Sequence, residues 1–294
     1  MADTTSLHAR GQVRDYVDLT KPRLLPLVLF TSLPVMGMAA GGWPMLSFAL
    51  PTLVGIALAA AAANTLNAYV ERETDKLMER TRLRPLPSGK LAPHSALIFG
   101  WLLGIASTVL LWVVADLATA GVAVASILYY VYVYTIWLKP RTAWNAVVGG
   151  AAGAAAPLIA DVAVNGSLGM PGLMLFAIVF FWQPPHVWAI ALYRKADYEA
   201  AGIPMLPNVI GDERTRRWIL ACTLGLVPVT LAPGLLGPLG YVYMTVAVGM
   251  NAWFVISSIR LARHRTDQAA QRMFQVSLVY LFSLCFAMLI DLAV

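Results

Sequence analysis

Asn67, Glu71 and Asp75 stand at i, i+4 and i+8 in the stretch NTLNAYVERETDKLMERTRLRPLPSG, residues 64–89. At about 100° per residue they fall within an arc of about 80° on a helix. They follow a long run of Ala, Leu and Val, so they sit at the C-terminal end of an apolar helix. The helix dipole disfavours anions there, and like charges at i, i+4 repel by about 0.2–0.5 kcal/mol. A bound hard cation resolves the conflict, because Mg²⁺ prefers carboxylate oxygens, waters and substrate phosphates. A solvated juxtamembrane helix of mixed charge, with Arg72 and Lys76 offsetting the repulsion, accounts for the same pattern, and spacing alone slightly favours it.

The segment continues as RTRLRPLPSG. Arg80, Arg82 and Arg84 stand close to the carboxylates, and Pro85, Pro87 and Gly89 end any helix. Arginine forks suit phosphate oxygens, although arginine beside a membrane span is also plain topology signal. A cation site next to an arginine cluster suits a Mg²⁺-diphosphate. A second polar set lies in FFWQPPHVWAIALYRKADYEAAGIPMLP, where Gln183, His186, Tyr193 and Asp197 recur near helical spacing and suggest one shared face. Pro184 and Pro185 predict a broken or kinked span, which a membrane tolerates where backbone is buried in protein or lines a cavity. His186 reads either as a satisfied interior residue or as a contact to a polar substrate, and the residues alone favour the first. Asp197 mirrors Asp75 and can approach the same cation. Lys21 and Arg23 mark the mouth of one span and Lys139 and Arg141 that of another, with Asn145 just beyond. Gly149, Gly150 and Gly153 give a small-residue face for helix packing, or room for a flat ligand.

The elements that must position these groups are membrane helices. The chain is 59% hydrophobic and 12% charged, with a mean hydropathy of +0.70. About 20 apolar residues cross a hydrocarbon core of about 30 Å. Nine stretches qualify, at roughly 24–40, 47–69, 95–115, 118–138, 143–163, 171–193, 216–233, 239–259 and 273–293. They predict one all-α membrane domain over 1–294, with 1–20 a polar segment lacking the apolar run of a cleavable signal. All 21 Lys and Arg residues fall at one side of these spans. The basic balance therefore reads as membrane topology and not nucleic-acid binding, and places the N-terminus in the cytoplasm. Asp116, Asp161 and Asp291 sit at the outer ends, and no acidic residue lies mid-span. That absence argues against a coupled transporter, the non-catalytic alternative. Cys222 and Cys285 lie inside spans and suggest neither a disulfide framework nor a thiolate metal site.

Together these residues resemble the UbiA superfamily of intramembrane prenyltransferases, and within it the branch that farnesylates heme. The resemblance spans the chain from about Asp18 and rests on LTKPR (19–23), Asn67/Glu71/Asp75, RTRLRPLPSG (80–89), YTIWLK (134–139) with Asn145, WQPPHVWAIAL (182–192) and DYEAAGIPMLP (197–207). Glu71 stands where the first motif has an aspartate. Tyr193 stands where the second motif has one, and Asp197 keeps the other. The resemblance implies a nine-helix bundle around a central cavity. It implies Mg²⁺ held by Asn67, Glu71, Asp75 and Asp197, with Tyr193 beside them, and diphosphate held by Lys21, Arg80, Arg84, Lys139 and Arg194. His186, Trp182, Gln183 and Asn145 would face the acceptor. The implied substrates are farnesyl diphosphate and protoheme IX, in a bacterial inner membrane with the site toward the cytoplasm. The product would pass to a heme A synthase or a terminal oxidase. An aromatic quinone-precursor acceptor is the alternative within the superfamily.

Overall fold

The computed structural model describes residues 13–294, so the part of the polar N-terminal segment at 1–12 lies outside the described residues. The apolar runs form helices, since a backbone without water must satisfy its own polar groups. In chain order they are α1 Leu25–Ala40, α2 Leu46–Val70, α3 Pro93–Val114, α4 Leu117–Leu138, α5 Asn145–Asn165, α6 Met170–Tyr193, α7 Asp212–Leu235, α8 Tyr241–His264 and α9 Asp267–Asp291. Eight of them, α2 to α9, have 21 to 25 residues and are apolar enough to cross a membrane; α1 has 16 residues. Each coincides with one of the nine expected spans.

Helices α1, α2, α4, α5, α6 and α9 pack side by side around the centre, while α3 lies outside α2 and α4, and α7 and α8 lie outside α6 and α9. The outer position of α3 explains its exposed Trp101, Leu102, Ile105, Trp112 and Val113, which suit lipid. Connections at one end are short, 41–45, 115–116, 166–169 and 236–240, and carry no Lys or Arg. The opposite end carries the connections 71–92, 139–144, 194–211 and 265–266 and every described cation.

Three local features differ from the sequence reading. Helix α6 runs unbroken through Pro184 and Pro185. The lost N–H donors free carbonyls one turn earlier, and Phe180 O turns toward Gly150, where an added Cβ would lie 3.3 Å away. Second, α6 ends at Tyr193, and Asp197 belongs to a separate short helix, Lys195–Ala200. The face proposed for Gln183 to Asp197 therefore stops at Tyr193. Third, α4 widens into a π-helical turn over Tyr129–Leu138, with Lys139 N–H donating to Tyr134 O at 2.8 Å. Such i→i+5 turns often sit at functional sites.

Candidate functional site

The polar site is assembled at the long-loop end. Helix α2 ends at Val70, and Glu71 links it to the short helix Arg72–Lys76. The i→i+4 backbone bonds nonetheless continue, from Glu71 N to Asn67 O at 2.9 Å and from Asp75 N to Glu71 O at 2.8 Å. The helical spacing of Asn67, Glu71 and Asp75 therefore survives the change of element. The arginine loop that follows is pinned by apolar anchors. Met78 packs with Ala191, Ile203 and Met205, and Leu86 and Leu91 pack with Leu19 and Ala68. Gly89, at φ +76°, makes the turn back toward α3. The Met78 contact brings the loop after α2 against the loop after α6.

Each of the three motif residues holds a side-chain cation. Lys21 Nζ donates to Asn67 Oδ1 at 2.6 Å, and Asn67 Nδ2 donates to Thr135 Oγ1 at 3.0 Å. Lys139 pairs with Glu71, both largely buried. Arg84 pairs with Asp75 at 2.9 Å, and Asp75 is 2% exposed. Arg72 and Lys76, in contrast, pair with the exposed Glu73, so they do not offset the two inner carboxylates.

The electrostatics follow from this geometry. Burial pushes the Glu71 carboxyl up, but Lys139 and Lys21 outweigh it and hold the group below its ordinary range. Burial pulls the Lys139 ammonium down, and Glu71 outweighs that and raises it. Lys21 goes the other way. Desolvation, with Arg84 and Lys139 repelling, outweighs the attraction of Glu71 and lowers it to about 8.

Beneath this cluster lies a cavity of about 310 Å³. Its wall is mostly apolar, from Leu27, Val28, Ile56, Ala59, Ile159 and Val179 among others. Tyr130 and Tyr134 form its polar edge; their rings stack at 5.5 Å, and Lys139 Nζ lies 5.9 Å from the Tyr134 ring. Trp182, Gln183 and His186 line it from α6. His186 stacks on Trp182 at 4.2 Å and bonds Ser277 of α9 through Nδ1 at 2.7 Å. The residue is thus both tied to a neighbouring helix and open to the cavity. Gly149 and Gly153 also line the wall, and a Cβ at Gly149 would fall 2.6 Å from the Tyr134 ring.

The structure gathers Lys21, Asn67, Glu71, Asp75, Arg84 and Lys139 in one cluster, and Trp182, Gln183 and His186 on one cavity. It leaves others apart. Arg80 is exposed. Arg194 is exposed, 5.7 Å from the Tyr193 ring and 3.9 Å from Asp197. Asn145 is buried and donates to Pro204 O at 3.2 Å, which ties the start of α5 to the loop after α6. Tyr130, Thr135 and Ser277 were missed in the sequence. The dense YYVYVYT run, with tyrosines at i and i+4, was the available signal for the first two.

Mg²⁺ is testable against this donor set. Among the described residues no three His, Cys, Asp or Glu side chains converge as a preformed metal cage. The donors are nonetheless the hard oxygens such an ion takes, and Asp197 Oδ2, on the separate short helix after α6, is buried with only the Arg194 guanidinium at 3.9 Å and no hydrogen-bond partner. An ion shared with substrate phosphates needs no closed protein cage. The residues fit the group.

Residues 28–284 match the model of the UbiA prenyltransferase family. The chain belongs to that family. A curated relative from Symbiobacterium thermophilum, named protoheme IX farnesyltransferase, is 46% identical over 284 residues, covering 96% of this chain and 95% of the relative. Among solved members of the fold, a digeranylgeranylglyceryl phosphate synthase superposes with a TM-score of 0.79 at 17% identity, covering 96% of this chain and 99% of that one. A UbiA homolog from Archaeoglobus fulgidus bound to DMAPP and Mg²⁺ superposes with a TM-score of 0.63 at 18% identity, covering 93% and 98%. At these identities the structural likeness establishes the all-helical fold alone; the family match and the eight long apolar helices make the chain a multi-pass membrane protein.

Proposed function

We propose that this chain transfers a farnesyl group from farnesyl diphosphate to a vinyl group of protoheme IX. The observation that carries the reading is the stacking of two chemistries along one axis. A cluster of lysines, arginine and carboxylates lies next to the Leu24, Asn64 and Tyr134 end of an apolar cavity, and a Trp182–His186 aromatic pair lines its wall. Near-full-length identity to a protoheme IX farnesyltransferase supports the acceptor. In this reading the nine helices form one domain that crosses a bacterial inner membrane nine times, with the N-terminus and site toward the cytoplasm. The product passes to a heme-oxidising enzyme or terminal oxidase.

Lys21, Arg84 and Lys139 bind the diphosphate oxygens, with Arg80 and Arg194 reaching it from the rim. Asn67, Glu71, Asp75 and Asp197 would hold Mg²⁺, which would supply positive charge against the departing diphosphate. The allylic C–O bond breaks with its electron pair leaving on diphosphate. Tyr130 and Tyr134, between the cluster and the cavity, turn π faces and hydroxyl dipoles to the allylic cation. The apolar wall holds the prenyl chain and keeps water from the cation. Trp182 and His186 orient the porphyrin so that the terminal vinyl carbon bonds the farnesyl carbon. Water then adds at the adjoining carbon and loses a proton, leaving a hydroxyethylfarnesyl group.

The test is a reaction in membranes containing the purified chain, farnesyl diphosphate and protoheme. The expected result is Mg²⁺-dependent diphosphate release with a heme whose mass rises by a farnesyl group and a hydroxyl. Diphosphate release with hydroxybenzoate and an unchanged heme would overturn the acceptor assignment.

A further inference from the structure

The hydrogen bonds around His186 fix more than its position. Ser277 is fully buried on α9, and its hydroxyl donates to Phe274 O at 2.6 Å. A carbonyl only accepts, and a serine hydroxyl has a single proton. That proton is therefore spent on Phe274. The 2.7 Å contact between Ser277 Oγ and His186 Nδ1 then requires the imidazole to be the donor. A neutral ring with its proton on Nδ1 carries a bare lone pair on Nε2.

The ring is also held in place. Trp182, one turn earlier on α6, stacks against it at 4.2 Å and 25°, and Phe274 covers it at 4.9 Å. The Trp182 indole N–H donates to Ser277 O at 2.8 Å, so both aromatic side chains grip one residue of α9. Nδ1 is turned to α9, while His186 lines the cavity. Among the described residues Nε2 meets no hydrogen-bond partner, yet it is not among the buried atoms left unpaired, so it opens to the cavity.

We propose that Ser277 is a positioning residue that sets the tautomer of His186, and that the Nε2 lone pair so presented binds the iron of the acceptor porphyrin. An imidazole whose other nitrogen donates to a fixed acceptor is the arrangement that makes a good metal ligand, since the partner fixes tautomer and orientation. The inference deepens the heme-farnesylating reading and rests on it. It adds an axial bond that holds the porphyrin at one depth and rotation while its vinyl group meets the prenyl chain.

The test compares protoheme with metal-free protoporphyrin IX, which has the same rim but no iron to ligate. Both are titrated into the purified full chain in lipid nanodiscs. The wild type is expected to prefer protoheme by on the order of tenfold or more, and His186→Gly to lose that preference. Added imidazole should restore the heme spectrum of His186→Gly, which a packing role would not allow. Ser277→Ala should weaken the preference, and Ser277→Thr should recover it. His186→Gln, which keeps a donor toward Ser277 but no strong iron ligand, serves if the glycine variant does not fold. An equal preference for protoheme in the wild type and a folded His186 variant overturns the ligand assignment. A preference lost at His186 but untouched by Ser277→Ala overturns the tautomer argument. If the wild type farnesylates heme while the preference persists without His186, the reaction stands and this inference falls. If the wild type yields no farnesylated heme, the acceptor reading itself falls.

Discussion

Glu71 and Lys139 come from different helices, 68 residues apart, and meet in a buried ion pair. Their side chains are only 14% and 19% exposed. Removing one partner of a buried pair costs about 3–5 kcal/mol, because the other charge is left uncompensated. The two removals should not be equal. Glu71→Gln strips the carboxylate from Lys139 and also the attraction that Glu71 exerts on Lys21, leaving Asp75 as the remaining inner carboxylate against three cations. It should cost near the full 3–5 kcal/mol. Lys139→Met leaves Glu71 with Lys21 still attracting it and should cost about 1.5–3 kcal/mol, the scale of a lost charged hydrogen bond. The double variant removes both charges together and should lose less than the sum, by about 1–3 kcal/mol. Reversible unfolding of the metal-free, substrate-free protein in mixed detergent micelles measures the cycle. Costs additive within about 0.5 kcal/mol, or a Lys139→Met variant less stable than Glu71→Gln, would refute the pairing argument.

Asp75→Ala should abolish diphosphate release while the protein still inserts and folds. Its buried carboxylate holds Arg84, whose side chain is 33% exposed and can turn to water, so the stability loss should stay near about 1–2 kcal/mol; normal turnover in the folded variant excludes Asp75 from the diphosphate site. Lys21 predicts a pH signature. Its folded value is lowered from 10.5 to about 8, so between those values the unfolded chain binds more protons and stability rises with pH. The cost of charging Lys21 is fully present below pH 8, is relieved between pH 8 and 10.5, and Lys21→Met should flatten that rise in the melting temperature of the metal-free protein. Gly149→Ala should displace the Tyr134 ring and narrow the cavity, raising KM for farnesyl diphosphate more than for a shorter allylic diphosphate, with an overpacking cost of about 1–3 kcal/mol; equal KM changes would place the prenyl chain elsewhere.

The helices were legible because hydropathy and membrane thickness constrain them jointly. The expected 47–69 and 171–193 are observed as Leu46–Val70 and Met170–Tyr193. The π-helical turn at Tyr129–Leu138 was not legible, because hydropathy is blind to the choice between i→i+4 and i→i+5 bonds. Within the site, the spacing of Asn67, Glu71 and Asp75 survived because it is local to one stretch of chain. Their cationic partners Lys21 and Lys139 come from distant segments, and only packing brings them there. The prolines of α6 carry a local rule that allows a break or a kink, and the helix runs through them without a break. His186 was placed on the acceptor side, but its bond to Ser277, 91 residues away, left no trace in any local pattern.

The 16 residues of α1 rise about 24 Å, whereas its neighbour α2, with 25 residues, rises about 37 Å. Lys21 ties the approach to α1 to Asn67, a turn before α2 ends. The wall of the bundle is therefore low on this flank. A hydrocarbon core of about 30 Å would have to thin beside α1 to match the helix. A prenyl diphosphate lying in that thinned leaflet would carry its charged head near the level of Lys21, with its tail still in oil. The short helix thus marks the flank on which a donor could reach the cluster from the membrane instead of from the water above it.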